Sequence, residues 1–232
     1  MKNRLLLGAA ALALSLVAGT GLAKEWKEVR VAIDATYKPF TFKTADGQPT
    51  GFDVDIAKAL CAEIKAKCVF VEQAWDGMIP GLMAKKYDAI VSSMTINEER
   101  KKQVDFTGKY YNTPSRVVVR LDGPIKNVPA DLKGKKVGVL KGSTQEKYAR
   151  SALAPAGANV VPYEAQDQVY LDIKSGRLDA TVADIMEVQG GFLDTPDGKG
   201  WGFVGADQFF GEGAGVAVHK QNKDLRDLLD KA

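Results

Sequence analysis

Tyr87-Asp-Ala-Ile-Val-Ser-Ser-Met-Thr-Ile-Asn-Glu-Glu-Arg100 is the stretch from which the rest of the chain can be read. Its first five residues form a short apolar run, the pattern of a buried strand. The strand ends in three hydroxyl residues, Ser92, Ser93 and Thr95. Thr95 followed by Glu98 has the spacing of a capping box, which predicts that a helix begins there with Arg100 near its start. Hydroxyls at a strand's carboxyl end, a helix N-terminus and an arginine fork together suit a carboxylate ligand. The plainer reading, a capped helix beside a solvated arginine, has about even weight on these residues alone.

Working outward, strands alternate with helices on both sides of this stretch. On the N-terminal side, Val29–Ile33 alternates as a strand and ends at Asp34. A helix follows Gly51-Phe-Asp53, with Asp53 as its N-cap and Ile56, Leu60 and Ile64 on one face. Cys68–Val71 is the next strand, and Trp75-Asp-Gly-Met-Ile-Pro80 opens a short helix. After Pro114 a second series begins. Lys136–Leu140 is a strand, Gly142-Ser-Thr-Gln-Glu146 a capped helix start, and Asn159–Val161 a strand. Residues 164–175 are helical, and Asp179–Ala183 is a strand ending at Asp184 with a helix to follow. Lys86-Tyr-Asp-Ala-Ile-Val and Arg177-Leu-Asp-Ala-Thr-Val echo each other in pattern and place. This predicts two lobes of one architecture, each an α/β layer with a mostly parallel sheet.

The polar residues fall at matching places. Asp34, Ser92 with Ser93, Ser143 with Thr144, and Asp184 each stand at or just past the end of a strand. Ligands of open α/β sheets bind outside the carboxyl ends of the strands. One such residue is an ordinary cap, but four strands in two lobes ending this way predict a shared cleft. Tyr37 and Trp75 are the aromatic candidates, each more often core than site by about two to one when taken alone.

Composition narrows the function. Lys2 and Arg4, an apolar stretch over residues 5–17, and Gly21-Leu-Ala23 together read as a secretory signal peptide cut after Ala23. The formal charge of the whole chain is +3. Without Lys2 and Arg4, 30 basic residues face 29 acidic ones, which leaves no excess to drive binding to nucleic acid. Cys61 and Cys68 are the only cysteines, and in an oxidising compartment they read as a disulfide worth about 2.5 kcal/mol. His219 is the lone histidine, so no metal site and no cofactor is expected.

Taken in order, Asp34–Phe40, Gly51–Ile56, Trp75–Pro80, Asp88–Ser93, Arg100, Gly138–Glu146 and Gly176–Ala180 make the chain resemble the periplasmic polar amino-acid-binding proteins of ABC importers. The likeness is greatest to the lysine/arginine/ornithine- and histidine-binding branch and covers nearly all of the mature chain. It implies a two-lobed clamp with a two-stranded hinge. Lobe 1 would be residues 24–111 and 214–232, lobe 2 residues 116–208, and the hinge residues 112–115 and 209–213. It also implies a periplasmic monomer that carries a basic amino acid to a membrane permease, with no catalytic residue.

By the same resemblance, Arg100 would pair with the ligand α-carboxylate, with donors from Thr95, Ser143 and Thr144. Asp184, assisted by Ser92 and Ser93, would hold the α-ammonium. Tyr37 and Trp75 would sandwich the side chain, with Leu140 also lining the site. Asp34, helped by Ser92 and Gln145, would meet the distal cation. Relatives continue past the position of Ala232, so Leu225, Leu228 and Leu229 are expected to lack part of their cover. Two other classes fit the same fold: an exported dehydratase acting on cyclohexadienyl acids, and a ligand-sensing module. A dehydratase needs a general acid or base in the cleft, whereas Asp34 and Asp184 are expected to be committed to cations.

Overall fold

A computed structural model describes residues 25–232. The expected signal peptide and its cleavage site lie outside the described residues. The chain builds two five-stranded sheets and a small hairpin. In the first part of the chain come β1 (Glu28–Ile33), the hairpin strands β2 (Phe42–Lys43) and β3 (Pro49–Thr50), α1 (Phe52–Glu63), β4 (Lys67–Glu72), α2 (Met78–Met83), β5 (Ala89–Ile90), α3 (Glu98–Lys101) and β6 (Asp105–Tyr111). The chain then enters the second sheet with β7 (Ser115–Arg120), β8 (Lys136–Leu140), α4 (Thr144–Tyr148), β9 (Asn159–Tyr163), α5 (Gln166–Lys174), β10 (Ala180–Asp184), α6 (Ile185–Val188) and β11 (Trp201–Gln208). It returns with β12 (Ala214–Val218) and α7 (Lys223–Lys231).

The two sheets share one topology. The first has the order β4-β1-β5-β12-β6 and the second, read in reverse, β9-β8-β10-β7-β11. In each, the first three strands of that order pair in parallel and the next two join antiparallel. Four strands of each sheet therefore run one way. The reversed strand is in each case the one the chain enters after crossing over, β12 or β7. The echo between the Tyr87 and Arg177 segments is structural: β5 and β10 hold the same central place. The result is a two-lobed fold with mixed sheets, in which half of the strand pairings are parallel and half antiparallel, where mostly parallel sheets were expected.

Each lobe buries its own apolar cluster. Val29, Val31, Ile33, Val54, Ala57 and Cys61 form the centre of the first. Val117, Val119, Leu132, Val137, Val139 and Val182 form that of the second. Helix α1 turns differently from its predicted face. Val54, Ala57 and Cys61 are buried, while Ile56, Leu60 and Ile64 pack at the margin. The Cys61–Cys68 disulfide ties this helix to β4. Leu225 and Leu229 are buried in the first cluster, contrary to expectation, and only Leu228 is exposed. Full burial of one such leucine contributes about 1.5–3 kcal/mol, so α7 is anchored by the face that was expected to lack cover.

Two predicted caps are corrected. Helix α3 is capped by Asn97, whose side chain accepts from the Arg100 backbone N–H at 2.9 Å, and not by a Thr95–Glu98 box. Helix α1 starts from Gly51, which takes φ +115°, a value that only glycine adopts without strain. Asp53 therefore falls inside the first turn and caps nothing. The predicted cap at Ser143 forms: its Oγ accepts from Glu146 N at 3.0 Å, and Glu146 Oε2 accepts from Gly142 N at 2.7 Å.

Candidate ligand-binding cleft

The carboxyl ends of β1, β5, β8 and β10 converge between the lobes. Asp34, Tyr37, Trp75, Ser92, Ser93 and Thr95 from one side and Leu140, Ser143, Thr144 and Gln145 from the other line a narrow pocket. Asp184 lines the adjoining pocket together with Tyr37, Ser93, Thr95 and Gln145. Arg100 lines a wider groove at the mouth, next to Ser143 and Thr144. Eleven of the twelve candidate residues line these two adjoining pockets, and Arg100 lines the groove that shares Ser143 and Thr144 with them. The sequence did not point to Tyr111, Thr113, Ser115 and Gln208, which line the pocket beside Asp184. They sit at the crossings between the sheets, and no local motif marks them.

Ion pairs join the lobes across the opening. Lys141 Nζ is 2.9 Å from Asp76 Oδ2, and Lys147 pairs with Glu99. Deeper in, the lobes touch where Gly190 meets the ring of Pro39. A Cβ on Gly190 would fall 2.9 Å from the proline Cδ.

Arg100 is only 8% exposed. Its Nη1 donates to the Thr95 carbonyl at 2.9 Å, and its Cζ lies over the Trp75 ring. Among the described residues no carboxylate makes an ion pair with it; the neighbouring Glu99 turns away to Lys147. Burial draws the guanidinium pKa down to about 10, which leaves it charged at neutral pH. A buried cation without a counter-charge is costly, and an incoming carboxylate relieves that cost.

The carboxylates face the opposite problem. Asp184 is the N-cap of α6, where Oδ1 accepts from Met186 N at 2.9 Å and Glu187 N at 3.2 Å. Burial nevertheless pushes its carboxyl up to about 6, against these bonds and the Thr113 hydroxyl. Asp34 accepts from Thr36 N at 3.1 Å and Thr36 Oγ1 at 2.7 Å, and burial raises its pKa as well. Ser92 Oγ accepts from Asp34 N at 3.1 Å, which locks the ends of β1 and β5 together. The Gln145 amide donates to Ser115 Oγ at 3.0 Å, so it is oriented from the crossing segment. Two carboxylates held charged against desolvation favour cations just as Arg100 favours an anion.

A two-lobed α/β fold with a charge-lined cleft between its strand ends defines a small-solute binding protein. The chain belongs to the bacterial extracellular solute-binding proteins, family 3, whose model matches residues 29–232. It is 52% identical to the L-arginine-binding protein of Pseudomonas aeruginosa, over 100% of this chain and 90% of that one. It is 43% identical to the histidine-binding periplasmic protein of Salmonella typhimurium, over 96% of this chain and 89% of the other. The solved structure of an ancestral arginine-binding protein bound to arginine superposes with a TM-score of 0.83. That match is at 38% identity and covers 90% of this chain and 91% of that one.

Proposed function

We propose that this protein captures a cationic L-amino acid in the periplasm and delivers it to the permease of an ABC importer. The preferred ligands are arginine, ornithine and lysine, ahead of histidine. The observation that carries this reading is the charge order of the cleft: a buried Arg100, with no ion-pair partner among the described residues, in the groove beside it, and the buried carboxylates Asp184 and Asp34 in its pockets. A basic amino acid presents one carboxylate and two cations, which is the complement of that set. Tyr37 and Trp75 supply apolar area and ring faces for the chain between them. The relatives that bind arginine and histidine support the same class of ligand.

The protein acts as a monomeric binder and not as an enzyme. Asp184 is engaged as a helix cap and Asp34 in a turn, and this reading commits both carboxylates to ligand cations. The hinge is assigned to residues 112–115 and 209–213, where the chain crosses between sheets, and the leader is cut after Ala23. A calorimetric panel tests the reading. Heat of binding is expected with arginine, ornithine and lysine. Binding of glutamate or glutamine without arginine would overturn it.

A further inference from the structure

Asp53 is fully buried, although it neither caps α1 nor lines the cleft. Its carboxylate collects three hydroxyls. Oδ2 accepts from Ser93 Oγ at 2.8 Å and from Thr41 Oγ1 at 3.3 Å, and Oδ1 accepts from Tyr110 OH at 2.7 Å. Tyr110 OH in turn accepts from Ser93 N at 3.0 Å. Ser93 is thus gripped at its backbone and its side chain by one network. It is also held at φ +52°, a left-handed conformation uncommon for a residue with a side chain.

The network has a consequence for charge. A serine hydroxyl has one proton and two lone pairs. Burial lifts the Asp53 pKa to about 6, so above neutral pH the group is ionised and only accepts. The Ser93 proton is then directed to Asp53, and its lone pairs remain for the cleft wall that Ser93 lines. We infer that Asp53 is a positioning residue that sets the polarity of Ser93, so that the cleft offers the ligand α-ammonium a lone pair. This rests on the functional reading above, in which Ser93 and Asp184 share that ammonium.

Asn at position 53 would reverse the arrangement in a defined way. Ser93 N donates to Tyr110 OH and Tyr110 OH donates to Asp53 Oδ1, and with those two bonds kept, the amide oxygen of Asp53→Asn takes the place of Oδ1. The amide NH₂ is left facing Ser93, whose hydroxyl must accept from it and turn its own proton into the cleft. The ligands that read this out are L-arginine and 5-guanidinopentanoic acid, which is arginine without the α-amino group. Calorimetry at pH 8 is expected to show wild type preferring arginine. Asp53→Asn and Ser93→Ala should each cut that preference about tenfold or more, the effect of one hydrogen bond to a charged group. The double variant should lose no more than either single one.

A purely structural role would lower both affinities alike and leave the preference intact, and that result overturns the inference. Should Asp53→Asn fail to fold by circular dichroism, Ser93→Ala and Tyr110→Phe decide. The first should lose the preference, and the second, in which Asp53 still accepts from Ser93, should keep it. Ser93→Ala with the full preference overturns the inference alone. Wild type that binds neither compound overturns the functional reading and this inference with it.

Discussion

The guanidinium carbon of Arg100 lies 5.2 Å from the centroid of the Trp75 ring. Ring face and Thr95 carbonyl together hold the fork in place, and among the described residues no carboxylate makes an ion pair with it. Such a pair is preorganised: the ligand need not pay to order the cation that receives it. Trp75 thus has a task besides the one proposed for it at the ligand side chain.

Arg100→Lys is therefore expected to weaken every amino-acid ligand by a similar factor, about 1.5–3 kcal/mol, since a point charge cannot replace a bidentate fork. Affinities for arginine, ornithine and lysine measured side by side check this. A loss confined to one ligand would mark Arg100 as a side-chain selector instead.

Asp34→Asn should cost arginine on the order of 2–5 kcal/mol, as for one partner of a buried charge pair. Citrulline, which has the same shape without the distal charge, should lose far less. Equal losses for the two compounds would remove Asp34 from the distal site.

The cleft carboxyls also predict a pH dependence. Asp184 is raised from 3.8 to about 6 in the ligand-free fold, chiefly by burial. A raised carboxyl favours the folded state when protonated, so its contribution to ligand-free stability is present at low pH and fades as pH rises through about 6. A ligand ammonium reverses this by favouring the ionised form. Arginine affinity should then fall as pH drops from 7.5 to 5, with at most about a tenfold loss per pH unit for one proton. Asp34, shifted in the same direction, adds to the trend. Titrations in buffers of different ionisation enthalpy should show proton release on binding near pH 6. A flat profile over that range would contradict the assignment of Asp184 to the ammonium.

Closure makes a separate prediction. Pro39 and Gly190 meet without room for a Cβ on the glycine. Gly190→Ala should hold the lobes apart, reduce the arginine-induced compaction seen by solution scattering, and weaken binding. Asp184→Ala should likewise reduce closure at matched occupancy. Arginine binding with an unchanged scattering profile would rule out the clamp.

Much of this protein is legible in its residues taken a few at a time. Alternating strands and helices, the echo of Tyr87–Val91 in the second lobe, and the Ser143 cap follow from contacts within one turn or one pleat. Their energies depend only on near neighbours. Asp34, Ser92, Ser93, Ser143, Thr144 and Asp184 were legible because open sheets place ligands at strand ends, a rule of topology that the order of elements reveals, whereas Leu140 and Gln145 were named only through the family resemblance. Local reading failed where two local options compete. Asn97 outbid Thr95 for the start of α3, and the left-handed freedom of Gly51 moved the start of α1 so that Asp53 ceased to be a cap.

What Asp53 does instead was decided by Ser93, 40 residues away, and Tyr110, 57 residues away. The solitary charge of Arg100, its seat under Trp75 and the meeting of Pro39 with Gly190 have the same origin. Each depends on which long loops close and how much water their closure expels. A buried charge or hydroxyl takes its role from partners brought near by packing, and no spacing along the chain records them.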